Sequence, residues 1–192
     1  MKEAKIEIKE EDNVKENKQR NYRDYKKVLI KARTKRPVLG TDAATSDVCI
    51  KHNVKQINIL PRDEKGNIRF KPWWFRAGLR DTSSIFNTPK QLATDWIRNY
   101  DCSVSNGKKV EVSVVTLALH PENKGVISNY EVLPEGIEFE LSFFAPMIAN
   151  RNPVSKATYK EWVSMMLNEG IGSIRKGEWG ACELTDIKFI DI

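Results

Sequence analysis

Residues 155–192 read SKATYKEWVSMMLNEGIGSIRKGEWGACELTDIKFIDI, and three local patterns succeed one another along them. Trp162, Met165, Met166 and Leu167 recur at the three- and four-residue spacing that gathers apolar groups on one side of a helix. Ser155 stands where an N-cap hydroxyl accepts an early backbone N–H, and Gly170 where a helix C-cap favours a residue without Cβ. The spacing predicts a helix over 155–170. ACELTDIKFIDI reads as a strand, and a glycine-rich segment, 170–180, joins the two.

The same reading extends upstream. IEFELSFFAPM (137–147) alternates Ile137, Phe139, Leu141 and Phe143 against Glu138, Glu140 and Ser142, the period of a half-buried strand. Glu138 and Glu140 then share a wet sheet face. KKVEVSVVTLAL (108–119) alternates as another strand, and ISNYEVLPEG (127–136) is a shorter strand or a loop. KKVLIKAR (26–33) is a β-prone run, and residues 38–52 read as a small, polar loop. Residues 54–70 predict a hairpin with Lys65, Gly66 and Asn67 near its tip. Pro72 opens a helix, with Trp74, Ala77, Gly78 and Ile85 on one face; Pro89 opens a second, over 89–100. Strands and helices in this order predict an α+β fold. The simplest is a ferredoxin-like (RRM-like) antiparallel sheet with helices packed on one face.

Length and composition set the frame. A chain of 192 residues predicts a single α+β domain over 25–192, preceded by a charged arm, 1–24, that is disordered or ordered by a partner. The arm lacks the apolar stretch of a secretory leader, and no run reaches the ~18 apolar residues of a membrane-spanning helix. Cys49, Cys102 and Cys182 lie far apart, which fits a reducing compartment and a cytoplasmic protein. A net charge of +6 permits contact with phosphate backbones without demanding it.

Two constellations carry chemistry. In the glycine segment, Gly170, Gly172 and Ser173 precede Arg175, Lys176 and Trp179. Glycines let backbone N–H groups line an anion nest, the cations complement phosphate, and the indole offers a stacking surface. The competing reading is a C-cap followed by a tight turn. Neither a P-loop nor a dinucleotide fingerprint fits, because the order is helix–loop–strand. At the start of the first helix, Lys71, Trp73, Arg76 and Arg80 interleave aromatic and cationic groups as a single strand requires. There, Trp74 and Phe75 are expected in the core, with Trp73 and Arg76 exposed. No catalytic set, metal site or cofactor is expected. His52, beside Lys51, is the better of two histidines as a general base, and His120 is expected to be structural.

The segment from Gly170 to Gly180 resembles the C-terminal glycine-rich loop of the RAMP superfamily, the RNA-binding and RNA-processing proteins of CRISPR systems. It departs from their glycine–hydrophobic alternation at Glu178. The ending is also similar to that of small uncharacterised phage and prophage proteins, whose location would be the bacterial host cytoplasm. The resemblance implies a ferredoxin-like fold and a nucleic-acid partner, with single-stranded RNA favoured over single-stranded DNA and homo-oligomers along the strand. The alternatives are a metal-independent endoribonuclease on the same fold, and a phage structural or interaction protein with no nucleic-acid role.

Overall fold

The computed structural model describes residues 25–83, 97–118, 127–149, 152–174 and 179–192. In chain order the elements are β1 (Tyr25–Thr34), β2 (Val38–Leu39), β3 (Asp42–Ala43), α1 (Ser46–Lys51), β4 (Ile57–Ile59) and α2 (Pro72–Ser83). Then come β5 (Arg98–Val104), β6 (Ser113–Ala118), β7 (Ile127–Leu133), β8 (Glu138–Pro146), β9 (Ile148–Ala149), β10 (Asn152–Pro153), α3 (Lys156–Glu169) and β11 (Cys182–Asp191).

Period-two patterning builds the central pair. Val28, Ile30 and Ala32 of β1 sit opposite Phe143, Leu141 and Phe139 of β8, and all six are buried. On the other side of β1, the same three residues meet Phe189, Ile187 and Leu184 of β11. With β5 beyond β8, the strand order is β11-β1-β8-β5, each neighbouring pair antiparallel. Without its insertions the chain runs β1–α2–β5–β8–α3–β11, the ferredoxin-like βαββαβ order.

Trp74, Phe75 and Leu79 of α2 and Tyr159, Trp162, Val163, Met166 and Leu167 of α3 bury against the same sheet face. Burial of each large side chain stabilises by about 1.5–3 kcal/mol. The helices touch closely: a Cβ on Gly78 would lie 2.6 Å from Met166 Cγ. Ser155 caps α3 as its sequence predicts, its hydroxyl accepting Thr158 N–H at 3.0 Å. Met165 is half-buried rather than fully in the core.

Two insertions form a second sheet. β2, β3, α1 and β4 lie between β1 and α2, and β6 and β7 lie between β5 and β8. β7 pairs with β6 along one side and with β2 and β4 on the other. Glu131 of β7, buried, anchors the chain just past β4: its Oε2 accepts Leu60 N–H at 3.0 Å and an Arg62 guanidinium N–H at 2.8 Å.

Several local expectations change. Residues 38–52 are not a plain loop, because β2 and β3 find partners in β7 and β4 far along the chain. The expected hairpin reduces to one bridge, Arg62 to Ile68, since β4 pairs with β3 and β7 instead. The segment 127–136 contains a full strand, β7. The helix expected over 89–100 does not reach its end: Arg98 and Tyr100 belong to β5, where pairing with β8 outweighs local helical periodicity. Residues 89–96 of that helix, Ile85, His120 and the arm 1–24 lie outside the described residues.

Candidate nucleic-acid interface

The glycine segment is pinned to the second sheet by its backbone. Ser173 N–H donates to Leu39 O at 3.2 Å, Ile171 N–H to Gly180 O at 2.9 Å, and Gly180 N–H to Pro37 O at 2.8 Å. Gly172 and Gly180 have φ of 94° and 74°, and Cβ atoms there would lie 2.7 Å from Leu39 O and 2.1 Å from Ile171 O. Both conditions exclude a larger residue. Gly170, with φ of 98°, is the C-cap of α3. Ile174 and Trp179 are half-buried against Leu39, Tyr130 and Val132, so the indole is committed in part to packing. Ser173 is exposed beside them. Arg175 and Lys176 lie outside the described residues.

The other constellation divides as its sequence predicts for the rings. Trp74 and Phe75 are buried, whereas Trp73 is 49% exposed and meets Trp74 edge-on with ring centroids 6.0 Å apart. Arg76 is a correction: it is half-buried, and its guanidinium donates to Ile97 O at 3.0 Å, tying α2 to the start of β5. Arg80 is at the surface, 3.9 Å from Asp81. Lys71 Nζ is 2.8 Å from Asp42 Oδ2.

That ion pair ties the foot of α2 to β3. Asp42 is three residues from Leu39, whose carbonyl holds Ser173, and three extended residues span at most ~10 Å. The segment 39–42 thus links Lys71, at the foot of α2 beside Trp73, to the glycine segment. His52 is elsewhere, at the C-cap of α1 and half-exposed, with its backbone N–H donating to Val48 O. No group of three or more His, Cys, Asp or Glu among the described residues could hold a metal ion. No described helix is long and apolar enough to cross a membrane.

Sequence reasoning missed a cationic cleft of about 520 Å³ between the turn at residues 62–68 and the extended segment 108–112. Lys65, Lys108 and Lys109 are exposed on its walls. The available signals were two turn sequences, DEKGN (63–67) with Lys65 and SNGKK (105–109) with Lys108 and Lys109; only the fold sets them face to face. The open face of the four-stranded sheet is different in kind. Lys31 meets Glu140 at 2.8 Å and Arg33 meets Glu183 at 2.9 Å, while Lys27, on the same face opposite Phe144, is exposed.

No family model matches the chain, and no curated protein matches it in sequence. Its fold does match a solved structure. A chain in the cryo-EM structure of the Type III-B Cmr-beta bound to cognate target RNA aligns with a TM-score of 0.58 at 11% identity. The alignment covers 88% of the present chain and 61% of the other, so this protein spans less than two thirds of that chain's length. The likeness is one of fold.

Proposed function

We propose that the protein is a nucleic-acid-binding module that holds single-stranded RNA at the junction of its glycine segment and the foot of α2. The observation that carries this reading is the exposed indole of Trp73 two residues from Lys71, which is bonded to Asp42 on the segment leading back to Leu39 and the glycine segment. Ring faces beside cations suit sequence-tolerant single strands. Support for RNA over DNA comes from the RAMP-like glycine segment and from the fold's likeness to a chain of an assembly bound to target RNA. On this reading the protein works in the cytoplasm and assembles along the strand. Sedimentation to higher mass with RNA alone supports that assembly, and an unchanged mass removes it.

The test is fluorescence anisotropy of labelled single-stranded RNA, single-stranded DNA and duplex at two salt concentrations, with the same samples run on a denaturing gel. Salt-sensitive binding of the single strand without cleavage supports the module. Trp73→Ala then weakens it roughly tenfold, the worth of one stacked base. Cleavage would put the endoribonuclease first. No binding to any of the three would sink the proposal and leave a protein-interaction domain.

A further inference from the structure

The cationic cleft is not accounted for by that junction. One wall is the tight turn at 62–68. Asp63 Oδ1 accepts Lys65 N–H and Asn67 N–H at 2.9 Å each, and these bonds hold its carboxyl below the usual range. Asp63 is therefore held ionised within its own turn, next to Lys65, and does not line the cleft. Nothing lies within 4 Å of where a Cβ on Gly66 would be, so this wall is low and open. The facing wall is the run from Lys108 to Val112, entered through left-handed Ser105, Asn106 and Gly107.

The charge count is one-sided. Arg62, Lys65, Lys108 and Lys109 line the cleft against one lining carboxylate, Glu111. Arg62 is neutralised by buried Glu131, leaving three lysines. That composition selects among polyanions. A peptide carboxylate is best held by the planar fork of an arginine, and the one arginine here already serves Glu131. Lysine ammonium groups on exposed stems are point charges, suited to phosphate oxygens.

We infer that this cleft is a second phosphate-binding site, one that takes the sugar–phosphate backbone of the bound single strand through Lys65, Lys108 and Lys109. The inference rests on the nucleic-acid reading above but concerns a separate surface. Glu131 reaches Leu60 and Arg62, while its neighbours Tyr130 and Val132 pack with Leu39 and Trp179, so cleft and glycine segment lie on opposite sides of β7.

Two measurements on the full chain decide it, both with a labelled single-stranded RNA of about 20 nucleotides. The first compares wild type with the K65Q/K108Q/K109Q variant by anisotropy across a salt series. Three lost phosphate contacts lower the slope of log affinity against log salt by about 2 and weaken binding about 100-fold at 0.1 M salt. The second is acetylation of wild-type lysines with and without RNA, read by mass spectrometry, which needs no variant to fold. Protection of the three lysines, with the weakened slope, supports the site. Equal affinity and slope, with the three lysines acetylated as fast in the complex as in free protein, overturns the site and leaves the junction reading standing. Wild type that binds neither RNA nor DNA overturns both.

Discussion

On the open face of the four-stranded sheet, two cations of β1 have an anion within reach. Lys31 pairs with Glu140 and Arg33 with Glu183, while Lys27, opposite Phe144, is exposed. At the cleft beside the second sheet, Lys65, Lys108 and Lys109 face Glu111 as the one lining carboxylate. RRM-type sheets stack bases on open-face aromatics. Here that face carries the Lys31–Glu140 and Arg33–Glu183 pairs, with Phe144 half-buried on it opposite exposed Lys27. The ferredoxin-like scaffold is shared with such domains, and the insertions add a cluster of three lysines to it. A binding surface is grafted on a fold and need not sit where related folds keep theirs.

The sharpest way to break that contrast is to detach an insertion from the scaffold. Gly180→Ala forces a Cβ against Ile171 O at a left-handed backbone, and about 3 kcal/mol or more of stability should go. Urea unfolding measures it. A loss below about 1 kcal/mol would mean that the glycine segment rearranges freely. Next comes Glu131→Ala, which strips the acceptor from Leu60 N–H and Arg62 and should cost about 3 kcal/mol. Glu131→Gln keeps an acceptor and should cost about half of that. Equal losses in the two variants would show that the carboxylate charge opposite Arg62, not the side chain's shape or a neutral acceptor, holds the turn at 62–68.

These positions also show how much local sequence carries. The alternation of Phe139, Leu141 and Phe143, the Ser155 cap and the burial of Trp74 beside an exposed Trp73 are local, and periodicity and capping chemistry expose them. The second sheet is not. Leu39 pairs with Val132 and Ile57 with Asn129, across separations that no short window sees. The cleft was hidden for the same reason: Lys65 and Lys109 belong to different insertions, and each alone reads as a solvated turn. Asp42, which ties Lys71 to the glycine segment, gave no signal in a run of small polar residues.

A smaller effect separates the two kinds of glycine. Gly66, with φ of 82° and open space around it, should lose only about 1 kcal/mol as Gly66→Ala, the cost of a left-handed backbone without a clash. Against Gly180→Ala, this measures how much of the glycine segment's rigidity is steric. A Gly66→Ala loss as large as that of Gly180→Ala would mean that the turn is packed in solution and the cleft is narrower than its walls imply.

The smallest effect tests the other side of the contrast. Arg33 holds the Glu183 carboxyl below its usual range, and Lys26 does the same for Asp191. A depressed folded pKa means that these pairs stabilise the protein above the unfolded carboxylate values. That contribution is lost as pH falls through the lower folded values. All four side chains reach solvent, so the effect is modest and salt-sensitive. The variant E183Q/D191N should therefore unfold at nearly the wild-type urea midpoint at pH 7 and show a flatter midpoint–pH curve below about pH 4. RNA affinity supplies the sharper readout. Lys31→Ala combined with Arg33→Ala removes two cations from a face where each is already paired, so the salt slope should not change. A slope reduced by about 1.4, the release expected for two phosphate contacts on a single strand, would place the bound RNA on the sheet and reverse the assignment of charge to the insertions.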